Sequence, residues 1–247
     1  MSCYSYHMVP RLLKIAAIIA ATALAGCAVT SQNLTQDTGN QNRAGQESGC
    51  QLPIFTHHVT DPATIESILP PLFRNSRGVM PTALLDISGR APVYLPAAGT
   101  LVEASYHLEE GTAFYWLGFD AGCGVFVVLD HLTEVTPDIA AALPDTPRPE
   151  GDSRTAPVAS PLPLSAGTLV GHTTGSVRAG NWNFSVFNES ARNSLWDGET
   201  QPGRNPGYTA VCPFAYFSED LRQQYGALFQ LKHSGSTHTE DNLCDDL

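Results

Sequence analysis

Charged residues are scarce in this chain, at 15% of 247 residues, against roughly 25% in an average soluble domain. Positive charge is scarcer still: 13 Lys and Arg stand against 24 Asp and Glu, for a net charge of −11. No basic run occurs after Lys14, so the electrostatic footprint for a phosphate backbone is missing, which argues against nucleic acid as a partner. A second long apolar run is also missing, which argues against a multi-span helical membrane protein. The sequence has no C-x-x-C pair, no G-x-S-x-G elbow and no phosphate-cradling glycine loop. Those absences count against a cysteine-based zinc module, an α/β-hydrolase and a nucleotide site.

What is plentiful is glycine and proline, 21 and 18 residues, a composition of short strands and many turns. The single apolar run, Ile15 to Gly26, follows Arg11 and Lys14 and ends in small residues before Cys27. A basic flank, an apolar run of about a dozen residues and a small-residue end describe a secretory signal over residues 1–26. Leu24-Ala25-Gly26-Cys27 resembles the lipobox of bacterial lipoproteins, which implies lipidation of Cys27. Ala28 fits the sorting pattern for the outer membrane, and the expected location is its periplasmic face. Cleavage would remove Arg11 and Lys14 and no acid, taking the net charge from −11 to −13. Residues 27–49 are polar and read as a tether that buries too little to fold.

Setting Cys3 and Cys27 aside leaves Cys50, Cys123, Cys212 and Cys244, an even number suited to disulfides in an oxidising compartment. Of three possible pairings, Cys50–Cys244 and Cys123–Cys212 are favoured, the first joining the two ends of the folded part.

From Ala91 onward the pattern is β. Short runs rich in β-branched and aromatic residues, among them Gly99 to Tyr106, Thr112 to Gly118 and Gly124 to Leu129, are bounded by Gly, Pro or Asp. The run GVFVVLD reads as a central strand, and Gly118 to Gly124 as a hairpin turn. Residues 144–163 form a Pro-rich insertion expected as an exposed loop. Helix is expected at two places: Ala63 to Leu69 after Asp61-Pro62, and residues 218–231 after Ser218. Residues 234–247 read as a polar tail. The fold class is therefore mainly β with short peripheral helices.

Four segments in order resemble the lysostaphin/LytM-type zinc endopeptidases. They are APVYLPAAGTLVEA (Ala91 to Ala104), VVLDHL (Val127 to Leu132), LSAGTLVGHTTGS (Leu164 to Ser176) and NWNFSVF (Asn181 to Phe187). The resemblance implies the duplicated-hybrid-motif β-barrel or sandwich over residues 50–233. It also implies a zinc site built from H-x-x-x-D and H-x-H, with a separate catalytic histidine. Here the first motif reads Thr82-Ala83-Leu84-Leu85-Asp86 and the second Asn181-Trp182-Asn183. Asp86 stands at a ligand position, while Thr82 and Asn183 occupy positions where histidine is lost. His131 stands at the catalytic position. Neutral hydroxyl and amide groups are poor zinc ligands beside imidazole, so no cofactor is expected.

Other candidates are weaker. His57-His58 with Asp61 form the best rival metal cluster, but adjacent histidines in extended chain point apart. His107 reads as part of a polar hairpin turn, and His172 as pointing toward the cleft. Asp130 and His131, as strand neighbours, are expected on opposite faces. Ser88 and Ser185 have no special setting, and Glu103, Glu109, Glu110, Asp120 and Asp130 read as a solvated rim.

The leading expectation is an exported lipoprotein whose peptidase-like domain has lost its chemistry and acts as a binding or regulatory module at the cell envelope. Its cleft would run past Asp86, His131, His172, Asn181, Trp182 and Asn183, suited to peptidoglycan or an envelope protein. The alternative is an active zinc endopeptidase using Asp86, His131 and His172. A purely structural envelope protein is the third possibility.

Overall fold

In the computed structural model the described residues are 50–72, 74, 75, 78–194, 196, 207–230, 243 and 244. The expected signal, the tether with Cys27, and most of the expected tail lie outside them. Thirteen strands are described: β1 (Ile65–Leu69), β2 (Arg74–Asn75), β3 (Gly78–Val79), β4 (Ala83–Ile87), β5 (Ala91–Tyr94), β6 (Gly99–Glu109), β7 (Thr112–Asp120), β8 (Val125–Leu132), β9 (Glu134–Val135), β10 (Ala156–Leu164), β11 (Leu169–Thr173), β12 (Asn181–Asn188) and β13 (Ala210–Val211). Two short helices join them, α1 (Pro137–Ala140) and α2 (Glu219–Gly226).

The large antiparallel sheet runs β1-β4-β12-β8-β7-β6-β10, with β13 against β12. A second sheet runs β5-β11-β9, and β2 pairs with β3. The chain is mainly β, and β8 is a central strand of the large sheet. On one face of that sheet Leu85, Leu117, Leu129, Trp182 and Phe184 are fully buried, in one cluster with Val93 and Val170 of the second sheet. Phe55, Phe214, Phe217 and Tyr225 join the same core, with the Phe55 and Phe217 rings 5.2 Å apart, edge to face.

Several local expectations are corrected. Asp61 caps only a 3₁₀ turn, Pro62–Thr64, by accepting the Ala63 N–H at 3.0 Å. Ile65 to Leu69 is a strand instead of a helix. A register irregularity between Ile65 and Ser67 breaks the two-residue alternation, so the buried Ile65, Ile68 and Leu69 mimic helical spacing. The Pro-rich insertion is only partly a loop, because residues 156–164 form β10 against β6. Its prolines are tolerated because β10 is an edge strand.

The C-terminal helix stops at Gly226, short of the expected residue 231. The chain beyond it pairs with β1: Ile68 N–H donates to the Leu228 carbonyl and Gln230 N–H to the Ile68 carbonyl, each at 2.9 Å.

The disulfides are Cys50–Cys123 and Cys212–Cys244, with Cα separations of 5.5 and 5.1 Å, so the favoured pairing is overturned. Cys123 sits in the tight turn between β7 and β8 at φ 54°, where it meets the start of the folded part. Cys212 is buried beside the aromatic core after β13. Each end of the domain is thus stapled to its body, and the ends are not joined to each other.

Candidate functional site

The face of the large sheet opposite the core carries a cavity of about 240 Å³. Strand alternation builds its walls. Asn183, Ser185 and Phe187 come from β12, Val128 and Asp130 from β8, Trp116 from β7, and Glu103, His107 and Glu109 from β6. Met80, Pro81 and Thr82 close one side. Ser153 and Thr155 of the Pro-rich insertion close the other, where the Thr155 hydroxyl donates to Glu103. The insertion is clamped to β6: Arg148 N–H donates to the Tyr106 carbonyl at 2.8 Å, and Leu108 N–H to the Arg148 carbonyl at 3.1 Å. Glu150 accepts the Glu110 and Gly111 N–H groups in the β6–β7 turn.

His131 reaches this cavity through a backbone irregularity. Tyr115 pairs with Leu132 and Leu117 with Leu129, so Asp130 and His131 together oppose the single residue Trp116. This is a β-bulge, a device that re-aims a side chain. His131 takes φ 63°, a left-handed conformation that costs a non-glycine residue roughly 1–2 kcal/mol. Local bonds hold it there. Its N–H donates to Asp130 Oδ1 at 2.7 Å, and its carbonyl accepts from Thr173 Oγ1 at 2.6 Å. The ring packs edge-on against Phe114 at 5.4 Å.

The imidazole lies between two carboxylates, with Nδ1 3.4 Å from Asp130 Oδ2 and Nε2 3.3 Å from Glu109 Oε2. Burial works against its charge, but Asp130 and Glu109 outweigh burial and raise its pKa from 6.5 to about 10. For Asp130, burial is likewise outweighed by His131, and its pKa falls below the usual carboxylate value. His107, 5% exposed, goes the other way: burial lowers its pKa. Its Nδ1 is 3.2 Å from Ser105 Oγ. Two histidines whose pKa values are shifted in opposite directions therefore share a cavity, a pattern typical of functional sites.

The structure gathers Thr82, His131 and Asn183 at this cavity and leaves other expected cleft residues elsewhere. Trp182 is fully buried in the core, since it alternates with Asn183. Asn181 is buried and accepts from Ser176 Oγ at 3.2 Å. His172 belongs to the second sheet, with Nδ1 3.9 Å from Glu134 Oε2. Asp86 is on the same face as Thr82 by alternation, but it does not line the cavity and accepts from Ser67 Oγ at 2.5 Å. His58 is engaged with the Tyr225 hydroxyl at 3.2 Å.

Glu103, Glu109, Asp130 and His107 are cavity residues that the solvated-rim and hairpin readings missed, and Trp116 joins them in the lining. The signal was the alternation Glu103-x-Ser105-x-His107-x-Glu109, which puts four polar side chains on one face of one strand.

The donor set does not fit the zinc ion that the resemblance implies. Thr82 Oγ1 donates to the Ala83 and Phe184 carbonyls at 3.2 and 3.4 Å. Asn183 Nδ2 donates to Asp130 Oδ2 at 3.2 Å. Both nitrogens of His131 face carboxylates. Among the described residues no group of three or more His, Cys, Asp or Glu is arranged to hold a metal ion. No protein-family model matches the chain, and no curated protein matches it.

Proposed function

We propose that the chain is an exported lipoprotein, held through lipidated Cys27 at the periplasmic face of the outer membrane. Its LytM-like β domain binds a component of the cell envelope without hydrolysing it through zinc. The observation that carries this reading is the engagement of Asn183 and His131 with Asp130 and Glu109. Residues at the positions of a ligand and of the catalytic histidine are tied into a polar network around a cavity. That network offers amide, hydroxyl, carboxylate and aromatic contacts to a peptide or glycan. The two disulfides support export to an oxidising compartment. The shared face of Thr82, Asp86 and Asn183 supports the peptidase-like ancestry, because Asn183 pairs with Leu84, midway between the other two.

The test combines fractionation with binding. The wild-type chain should pellet with outer membranes, and Cys27→Ser should lose that behaviour. Purified protein should co-sediment with peptidoglycan sacculi equally with and without chelator, releasing no soluble fragments. Zinc-dependent release of fragments overturns the binding reading in favour of an endopeptidase, and unchanged fractionation of Cys27→Ser overturns the lipid anchor.

A further inference from the structure

The cavity is acidic on one side and apolar on the other. Glu103, Glu109 and Asp130 line it with His131 as the cationic side chain, and no lysine or arginine lines it among the described residues. Three carboxylates thus stand in the lining against His131 and a second histidine, His107, whose pKa burial lowers. An anionic ligand is repelled from such a site, and a cation is drawn in.

Two further observations identify the kind of cation. The first is the indole of Trp116. Gly118 pairs with Glu103 and with Val128, and a methyl group on it would come within 2.7 Å of the Trp116 ring and 2.5 Å of Phe126. The missing side chain lets Trp116 lie against the sheet, where it packs with Phe126, Val128 and Phe187. An aromatic face beside carboxylates is the surroundings that an alkylammonium prefers. The second is Ser185, across the floor from Glu103 in the cross-strand row Glu103, Gly118, Val128, Ser185. Ser185 is 5% exposed and lines the cavity. Its hydroxyl, both donor and acceptor, is a polar group that the cavity floor offers to an incoming molecule. Glu103 accepts from Thr155 through Oε1, and a carboxylate has further lone pairs to offer.

We infer that the cavity recognises a primary ammonium group carried on an apolar stem, as in a lysine side chain whose backbone is in amide linkage. The ammonium sits on the carboxylate side, the methylene stem lies along Trp116, Val128 and Phe187, and Ser185 bonds the amide end. The cavity volume suits one side chain of that size, not a folded partner. This inference rests on the reading of the cavity as a ligand site and names the chemistry that it selects.

Three probes that share one skeleton test it: Nα-acetyl-lysine amide, Nα,Nε-diacetyl-lysine amide and Nα-acetyl-norleucine amide. They are titrated into the full-length protein and followed by tryptophan emission, with Trp116→Phe identifying the responding ring. The lysine amide should bind at least about tenfold more tightly than either uncharged probe, a difference of about 1.4 kcal/mol. Glu103→Gln, with circular dichroism unchanged, should remove most of that preference. Should Glu103→Gln fail to fold, the wild-type preference should still weaken with added salt, because it is electrostatic. Equal binding of all three probes overturns the ammonium inference, and so does sacculus binding by a protein that ignores every probe. Both of those results leave the binding reading standing. Failure to bind both probes and sacculi overturns the two together.

Discussion

Asp130 and His131 are chain neighbours whose side chains meet over one cavity, Oδ2 and Nδ1 3.4 Å apart. Consecutive residues of a regular strand face opposite ways, and a flat β8 would send the imidazole into the apolar core. The bulge opposite Trp116 and the left-handed φ of His131 remove that conflict. A backbone defect thus turns a dipeptide into an ion pair, and the pair in turn holds Asn183.

That relationship makes stability depend on pH in a defined direction. The His131 pKa is raised from 6.5 to about 10, so its contribution is fully present below about pH 6.5 and is lost as pH rises through about 10. The Asp130 pKa is lowered from 3.8, so its contribution is present above that value and is lost on acidification. Urea midpoints should therefore be level between about pH 4 and 6.5, fall steadily from there to about pH 10, and level off above it. His131→Gln should abolish most of the alkaline slope. It should also cost roughly 3 kcal/mol at pH 7, because it leaves Asp130 without its cation. An identical alkaline slope in wild type and variant would refute the assignment.

Much of the fold was legible because it rests on composition and alternation. GVFVVLD reads as a central strand and lies between β7 and β12, and the glycines around Cys123 mark the β7–β8 turn. Two of the failures share one cause. Bulges change the two-residue period, so Ile65, Ile68 and Leu69 imitate a helix and Asp130-His131 imitates a regular strand pair. The acidic residues of β6 were visible in sequence, but their convergence on Trp116 and His131 depends on β6 pairing with β7 and β7 with β8. Edge pairing of β10 was hidden by its prolines, which only an edge strand can carry.

The disulfide pairing gives a chemical test. Non-reducing peptide mapping should recover Cys50 linked to Cys123 and Cys212 linked to Cys244. Sequence separations of 73 and 32 correspond to about 4 kcal/mol for each bridge in a chain-entropy view. Cys50→Ser with Cys123→Ser, and Cys212→Ser with Cys244→Ser, should each lower the unfolding free energy by about that amount. A Cys50–Cys244 peptide would contradict the arrangement.

Gly118 is the position at which the floor of the cavity is most sensitive to a single methyl group. Its added Cβ would press on Trp116 and Phe126, so Gly118→Ala must displace at least one ring. Overpacking of this kind costs typically 1–3 kcal/mol. The variant should show shifted Trp116 emission and weaker probe binding while both disulfides still form. A variant with unaltered emission and stability would mean that Trp116 does not lie over the glycine.

The zinc question can be put to the sheet itself. Asn183 pairs with Leu84, and alternation puts Thr82 and Asp86 on the same face as Asn183, two residues to either side of that pair. Strands about 4.8 Å apart and side chains about 7 Å apart along a strand let imidazoles at 82 and 183 approach Asp86 on a common point. The wild-type protein should bind no stoichiometric zinc, because its Thr82 and Asn183 offer a hydroxyl and an amide already engaged in hydrogen bonds. The double variant Thr82→His, Asn183→His should bind zinc at least tenfold more tightly in a competition titration against a chromophoric chelator, since imidazole replaces two weak donors. Asp86 must then exchange its bond from Ser67 for the metal, so adding Ser67→Ala should raise the affinity further or leave it unchanged. Peptidase activity need not follow, because ligating histidines also need outer partners that orient them. Stoichiometric zinc in the wild type would show that other residues ligate it. No gain in the double variant would show that Thr82, Asp86 and Asn183 do not converge, and would remove the strongest support for a peptidase-like ancestry.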